Sequence, residues 1–277
     1  MSQVPCPPMP PQRVSHAMPT FQFPRSLVQP LTRPWYALLN CGFPFSNRLE
    51  RHVVICGFPR SGTTLCQLMI EAGVTDIAVF GRERRALDKA RYTWHRHRFL
   101  LTKRPNDIFL LDDIRDFYRE RAASVRFILF VRDPRAVLTS IHVDRPNEFY
   151  VSVERWRAVY EHWKWACRAA DVLPVRYEDL IRDPAAVQNA MTRFVGWTVD
   201  RPFEEFHRCV PPGFDTDALN GVRQLHADNC ERWRQERFRD RIGGLLNRMM
   251  PELPSALTEL GYEANEHWTD QYLRRSA

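Results

Sequence analysis

The stretch Cys56–Leu65, CGFPRSGTTL, decides how the chain is expected to fold. It follows the apolar run HVVI of residues 52–55 and precedes an apolar helical pattern that ends at Gly73. A strand, a glycine-bearing turn and a helix in this order place backbone N–H groups over the helix start, where they bind anions. The stretch therefore predicts a phosphate-binding type of loop between a first strand and a first helix.

The cation of this loop is unusual. Gly57 and Gly62 have the G-x-x-x-x-G spacing of a Walker A loop, but Thr63 stands where that loop needs its lysine. Arg60 lies inside the loop instead. Arginine and backbone amides are therefore expected to bind the anion of this loop.

Further strand and helix patterns alternate after the loop. Strands are expected for residues 74–80 (VTDIAVF, a weak signal), 125–131 (VRFILFV) and 172–177 (VLPVRY). This alternation predicts an α/β fold of the P-loop-containing nucleotide-binding type, with a mainly parallel sheet flanked by helices. Ligands of such sheets bind beyond the carboxyl ends of the strands, where the loop lies.

Helical patterns cover residues 82–98, 112–122, 152–171 and 229–250. Within the third of them, one stripe at helical spacing is interpreted as core and comprises Trp156, Tyr160, Trp163 and Cys167. The last pattern is expected to cover one side of the sheet.

Two helix starts share the sequence Arg-Asp-Pro. In RDPRAV, Asp133 is expected to cap a helix whose first residue is Pro134, and Asp183 and Pro184 repeat the device in RDPAAV.

The 277 residues suit one folded domain with an extension. Residues 1–50 are interpreted as a Pro-rich, partly disordered N-terminal extension, and residues 51–277 as a single α/β domain. A formal net charge of +7 indicates an anionic ligand, an acidic acceptor or a negatively charged surface, and a basic surface kept for solubility accounts for it equally well.

Composition also argues against several classes of function. The seven cysteines are odd in number, scattered and never spaced C-x-x-C, which favours a reducing compartment and no metal site. No run reaches the length of a membrane span, and no charged-then-apolar signal pattern opens the chain. A cytoplasmic location is therefore expected.

The loop chemistry itself points to a particular class of anion. Backbone N–H groups of residues 61–64 and the hydroxyls of Ser61, Thr63 and Thr64 are the expected donors. No apolar strand that ends in aspartate is found to hold magnesium beside them. A phosphosulfate fits a loop with arginine and no metal, because a transferring sulfonyl group carries one charge fewer than a phosphoryl group.

The motif PRSGTTL resembles the 5′-phosphosulfate loop of sulfotransferases that use 3′-phosphoadenosine 5′-phosphosulfate (PAPS). Its arginine form is similar to the carbohydrate and protein-tyrosine branches of that family. The resemblance implies PAPS as cofactor, its product PAP and no metal. It also implies that the nucleotide is bound by the loop residues Arg60, Ser61, Gly62, Thr63, Thr64 and Leu65.

Three further motifs occur in the order of the family. FILFVRDPRAVLTS resembles its 3′-phosphate element, which gives Arg132 and Ser140 that role. VRYEDLIRDP resembles the element whose tyrosine holds the nucleotide, here Tyr177, while Glu178 and Asp179 are expected to be structural. LLTKRP resembles the segment that places a lysine, here Lys103, near the sulfonyl group.

A looser likeness concerns the lid that closes over the nucleotide. LNGVRQLHADNCERW, residues 219–233, resembles it, with Arg223 and Arg232 as expected contacts. This chain has His226 to Asn229 where the family often has serines.

The general base is expected to be Glu83, because the arginine-loop branches carry a glutamate after their first helix and VFGRERRAL occupies that position. The alternative for Glu83 is a helical ion pair with a nearby arginine. His95, His97 and His142 are reserve candidates, since the lysine-loop branch uses histidine.

The resemblance thus implies metal-independent, in-line transfer of a sulfonyl group to a hydroxyl or amine acceptor, with Glu83, Arg60 and Lys103 catalytic. The acceptor itself is not revealed, and an anionic one is compatible with the basic chain. Two alternatives stay open: a P-loop NTPase or kinase, and a basic module that binds nucleic acid or a membrane surface through residues 82–98. No nucleic-acid partner is expected, because no RNA-binding motif is present.

Overall fold

The computed structural model describes residues 49–92, 97–142, 145–219 and 221–273, together with Pro34 and Leu38. Most of the N-terminal extension expected over residues 1–50 therefore lies outside the described residues. Within the described ranges the strands are β1 (Arg51–Gly57), β2 (Ile77–Val79), β3 (Phe99–Lys103), β4 (Ser124–Val131) and β5 (Val172–Arg176).

These strands form one sheet in the order β2-β3-β1-β4-β5, and every pairing is parallel. The register places Ile55 of β1 beside Lys103 of β3, and Gly57 beside Phe130 of β4. The carboxyl ends of the three central strands therefore meet at one edge. The predicted α/β fold with a parallel sheet is confirmed.

Helices cover both faces of this sheet. In the described part of the chain from residue 49 onwards, the α-helices are α1 (Thr63–Gly73), α2 (Ala86–Tyr92), α3 (Leu111–Arg119), α4 (Pro134–Leu138), α5 (Val153–Ala166), α6 (Tyr177–Arg182), α7 (Pro184–Val195), α8 (Arg239–Gly244), α9 (Leu253–Glu259) and α10 (Asp270–Leu273). A 3-10 helix, Pro105–Leu110, joins β3 to α3.

Alternate residues of the strands enter two separate cores. Val54 and Phe127 face a core that includes Trp156 of α5, whereas Ile55 and Ile128 face the core shared with α1 and α7. Side chains of successive strand residues point to opposite faces, and both faces here are apolar, so the sheet is buried on both sides.

Several local expectations are confirmed. Asp133 accepts a hydrogen bond from the N–H of Arg135, and Asp183 accepts one from Ala186, so both cap helices that begin with proline. The aromatic stripe of α5 is core, with Trp156 fully buried. Glu178 is also structural: its carboxylate accepts from the backbone N–H of Asp133 and from the hydroxyl of Tyr262.

Other expectations are wrong. Strand β3 was not expected from the sequence, although it lies between β1 and β2. The long basic helix expected over residues 82–98 is described only as Ala86–Tyr92. The pattern over residues 229–250 is broken into 3-10 turns before α8, where the buried rings of Trp233 and Phe238 hold the chain against the domain.

In the part of the chain that the structure describes, no helix has the length and apolar character needed to cross a membrane.

Candidate active site

The loop between β1 and α1 is held in place by two glycines that have no room for a side chain. Gly57 has a φ of 121°, and a Cβ there would overlap the carbonyl oxygen of Phe130. Gly62 has a φ of 87°, and a Cβ there would overlap the ring of Tyr177. Both residues therefore have to be glycine, for their left-handed conformation and for the close approach of their neighbours.

The helix start is open to an anion. Gly62 provides no side-chain cap for α1, and the first turn of that helix contains no acidic residue. The first N–H groups of a helix have no partner inside it, and the helix dipole favours negative charge at this end. Thr63, Thr64 and Leu65 line the cavity in front of this helix start.

One expected hydroxyl donor is turned away. Ser61 is fully buried, and its hydroxyl donates to the carbonyl oxygen of Phe58 inside the loop. The expectation that this hydroxyl serves the anion does not agree with the structure, which leaves Ser61 its backbone N–H for that purpose.

The two predicted phosphate elements meet at Arg60. Its Nε donates to the Oγ of Ser140 over 3.0 Å, and its carbonyl oxygen accepts from Nη1 of Arg132 over 2.9 Å. The guanidinium of Arg132 also lies 4.1 Å from the ring centre of Tyr177, a cation–π contact. Burial lowers the pKa of Arg60, and the neighbouring charge of Arg132 lowers it further. The two positively charged guanidiniums of Arg60 and Arg132 repel each other, so binding of an anion beside them is favourable.

Lys103 and Glu83 form a pair beside this cradle. Nζ of Lys103 donates to the Oγ1 of Thr64 over 3.2 Å and lies 3.6 Å from Oε1 of Glu83. The Lys103 side chain is buried, whereas that of Glu83 is 56% exposed. Burial lowers the pKa of Lys103, and the carboxylates of Glu83 and Asp215 act in the opposite direction. The expected lysine and the expected base are therefore neighbours, 20 residues apart in sequence.

A cavity of about 290 Å³ joins these groups. Its rim includes the expected lid, residues 221–226 and Arg232. Of the predicted site residues, those that line it are Arg60, Gly62, Thr63, Thr64, Leu65, Glu83, Arg132, Tyr177 and Arg223. Lys103 and Ser140 contact this wall through Thr64 and Arg60, and Ser61 is buried inside the loop.

The sequence did not indicate four other residues of the wall: Tyr150, Arg155, Phe206 and His226, the last lying in the expected lid without an assigned role. The ring centre of Tyr150 lies 5.4 Å from the guanidinium of Arg60. Arg155 occupies the first turn of α5 and donates to Asn106 over 2.9 Å. No local motif marks Tyr150, Arg155 or Phe206, so only the packing of distant segments reveals them.

The reserve histidines lie elsewhere. His97 pairs with Asp76 at 3.4 Å and precedes β3, at the sheet edge opposite Lys103. His142 stacks on Tyr150, so it is one ring removed from Arg60. His95 lies outside the described residues.

Two observations bear on other kinds of site. Among the described residues, no group of three or more His, Cys, Asp or Glu side chains could hold a metal ion. A larger groove of about 640 Å³ runs beside the edge strand β5 and includes Pro174, Asp179 and Arg182. It contains none of the predicted site residues, so the smaller cavity is the better candidate on chemical grounds.

Comparisons with known proteins agree with this reading. A family model described as "Sulfotransferase family" matches residues 75–201. The fold is similar to a sulfotransferase domain from the olefin synthase of Synechococcus PCC 7002, with a TM-score of 0.57 and 18% identity, over 79% of this chain and 98% of that one.

A sulfotransferase domain from the curacin biosynthetic pathway is also similar, with a TM-score of 0.51 and 14% identity, over 79% of this chain and 99% of that one. At such identities the likeness concerns the fold alone. No curated protein matches the sequence. The family match over residues 75–201 and the shared fold both support the resemblance to sulfotransferases that the loop motif indicates.

Proposed function

We propose that the protein transfers the sulfonyl group of PAPS to a hydroxyl, or less often an amine, by an in-line reaction that needs no metal. One observation carries the proposal. An uncapped helix start with two arginines beside it lies next to a lysine–carboxylate pair, Lys103 and Glu83, at 3.6 Å. The first arrangement suits an anionic donor, and the second suits proton removal from an acceptor beside that donor.

The donor set of the cavity fits a nucleotide with anionic groups at two positions. The N–H groups at the start of α1, the side chains of Thr63 and Thr64 and the guanidinium of Arg60 suit the 5′-phosphosulfate. Arg132 and Ser140 suit the 3′-phosphate, and the ring of Tyr177 packs against the guanidinium of Arg132. The lid residues Arg223 and Arg232 add positive charge to the rim of the cavity. PAPS would supply the activated sulfonyl group, with PAP as the product.

The residues around the acceptor have two roles, proton removal by a base and charge stabilisation by cations. Glu83 takes the proton of the acceptor hydroxyl, so that its oxygen becomes a better nucleophile. Lys103 and Arg60 stabilise the negative charge that accumulates on the donor side as the bond to the leaving phosphate breaks. Burial of Lys103 strengthens this electrostatic effect, because water is kept from its ammonium group.

We also propose that the cavity accepts an acceptor that carries a negative charge. Glu83 is the single carboxylate among the described residues that line the cavity, whereas five arginines line it: Arg60, Arg132, Arg155, Arg223 and Arg232. A cytoplasmic location is also proposed, because Cys56, Cys66, Cys167 and Cys230 are free thiols in the part of the chain that the structure describes, and reducing compartments keep thiols free.

The proposal is tested in two steps. PAP should raise the melting temperature clearly and ADP or AMP much less, because Arg132 and Ser140 are assigned to the 3′-phosphate. Equal stabilisation by ADP would remove that assignment, and stabilisation by Mg-ATP alone would favour the NTPase alternative. Labelled PAPS is then incubated with cell extracts and a glycan panel. Transfer of label to an acceptor is the expected result, and no transfer to any of them contradicts the proposal.

A further inference from the structure

A fully buried carboxylate lies behind the segment that carries Glu83. Asp107, in the 3-10 helix after β3, has no solvent exposure. Its Oδ2 accepts a hydrogen bond of 2.9 Å from the backbone N–H of Ala86, the first residue of α2. Its Oδ1 lies 3.5 Å from Nη1 of Arg104 and makes no hydrogen bond with any described residue. The proposed function gives this carboxylate no contact with the nucleotide or with the acceptor.

The hydrogen bond from Ala86 is one of two that join the Glu83 segment to the Lys103 segment. The other runs from the N–H of Arg84 to the carbonyl oxygen of Lys103, over 3.2 Å. Glu83 is itself more than half exposed, so its own packing does not fix its position. Its place opposite Lys103 therefore depends on the register between residues 83–86 and residues 103–107.

The charges around Asp107 are mixed. Its pKa is raised to about 6, mainly by burial and to a smaller extent by Asp88, against the hydrogen bond from Ala86 and the charges of Arg104 and Arg85. Cys56 lies close enough for the carboxylate to raise the pKa of the thiol, after the larger effect of burial. A buried carboxylate that is only partly compensated is costly, and such groups concentrate at functional sites.

We propose that Asp107 is a positioning residue, which holds Glu83 opposite Lys103 by accepting the N–H of Ala86. The inference rests on the proposed function, because that function makes Glu83 the base. It goes further, since it assigns a role in the reaction to a residue that touches neither reactant.

The test uses Lys103 as a reporter of where Glu83 lies. The chain has three lysines, Lys89, Lys103 and Lys164, so ¹³C-labelled lysine gives a spectrum with few signals, which Lys→Arg variants assign. The Glu83 carboxylate raises the pKa of Lys103, and Glu83→Gln should therefore lower it. Asp107→Ala should produce most of the same fall, because the Glu83 segment is released. Asp107→Asn should leave the pKa unchanged, because an amide oxygen still accepts from Ala86.

Two further variants make the result specific. Asp183 caps α7 with a similar bond of 2.9 Å to Ala186, away from Glu83, so Asp183→Ala is the matched control and should leave the Lys103 pKa unchanged. If Asp107→Ala does not fold, Ala86→Pro removes the same hydrogen bond from the donor side, at a first helical position that tolerates proline. It should lower the Lys103 pKa in the same way.

Two outcomes would overturn the proposal. The first is a folded Asp107→Ala protein, or a folded Ala86→Pro protein in its place, with the Lys103 pKa of the parent. The second is an equal further fall when Asp107→Ala is added to Glu83→Gln, because Asp107 would then act on Lys103 without Glu83.

Turnover gives a separate measurement. With an acceptor from the labelled-PAPS screen, Asp107→Ala should lower kcat by roughly tenfold to a hundredfold, the scale of a misplaced catalytic group, and leave PAP affinity unchanged. Asp107→Asn should keep kcat within about threefold of the parent, well inside that loss. If the parent transfers no label, the proposed function fails, while the lysine titration still decides whether Asp107 holds Glu83 in place.

Discussion

Arg60 combines an unusual backbone with a central position in the site. Its φ of 63° lies in the left-handed region, which residues other than glycine rarely adopt. Its side chain donates to Ser140, and its carbonyl oxygen accepts from Arg132. Such strain persists only where the surroundings enforce it, and it concentrates at functional sites. The conformation allows one residue to link the loop to the segment after β4.

Arg60→Ala should abolish transfer and leave the circular dichroism spectrum unchanged, because the guanidinium serves the anion and its removal opens no core. Arg119, on the surface of α3 in an ion pair with Asp116, offers the control: Arg119→Ala should keep full turnover. Turnover retained in Arg60→Ala would refute the role of the loop arginine.

Glu83→Gln should lose about a hundredfold in turnover, the usual scale of general base catalysis, because it keeps the shape of the side chain and removes its basicity. Its stabilisation by PAP should equal that of the parent. If turnover stays near normal while substitution of His95, His97 or His142 stops it, the base is a histidine.

The raised pKa of Asp107 predicts that the stability of the protein depends on pH. The unfolded carboxyl group loses its proton near its ordinary pKa of 3.8, whereas the folded one keeps it up to a pKa of about 6. The folded state binds more protons in this interval, so the contribution of Asp107 to stability is fully present below pH 4 and is lost as the pH rises to about 6. The free energy of unfolding of the parent minus that of Asp107→Asn should therefore fall between these pH values. A difference that stays constant would contradict the raised pKa.

At the scale of elements, the junction of β1, the loop and α1 depends on close contacts of backbone with backbone. Gly57 lies beside Phe130 in the register of β1 and β4, and the carbonyl oxygen of Phe130 accepts from the N–H of Phe58. Tyr177, at the start of α6, packs on Gly62. Strands β1 and β4 and the ring of Tyr177 thus fix the position of the helix start at the cavity.

Gly57→Ala should lower the free energy of unfolding by about 2 kcal/mol or more, because the φ of 121° is strained for alanine and the added Cβ meets backbone that cannot move aside. Gly81 is the control: a Cβ there meets nothing within 4 Å, so Gly81→Ala should be nearly neutral. Urea denaturation of both variants measures the effect, and equal values would show that the close approach to Phe130 is unimportant.

At the scale of the whole molecule, positive charge is concentrated where the strands end. Five arginines line the cavity, and the formal net charge of the chain is +7. In the proposed function, these built-in cations take the place that magnesium has in a Walker-type site, where the metal neutralises phosphate charge. This arrangement suits the donor proposed for the protein.

Transfer should therefore continue at an unchanged rate after EDTA is added, and added magnesium should not raise it. The affinity for PAP should fall as salt is increased, because the cavity attracts its ligand through charge. A rate that collapses in EDTA and returns with magnesium would contradict the proposed mechanism and favour an NTPase-like site.

Local sequence determined the parts of this protein that depend on neighbouring residues. The loop follows from an apolar strand and two glycines within ten residues, and the caps by Asp133 and Asp183 act on N–H groups two or three residues away. Such contacts need no knowledge of the rest of the chain. The strands at 125–131 and 172–177 were predictable for the same reason, since each is rich in β-branched and other apolar residues.

Only the tertiary structure decided which distant residues meet. Arg60 and Ser140 are 80 residues apart, and Lys103 lies beside Glu83 because the unexpected strand β3 pairs with β2, the strand that precedes Glu83. The order of strands in a sheet is set by the packing of whole faces, which the periodicity of one segment does not contain. The same packing replaced the expected helix around residues 229–238 with turns, because burying Trp233 and Phe238 outweighs a local helical preference.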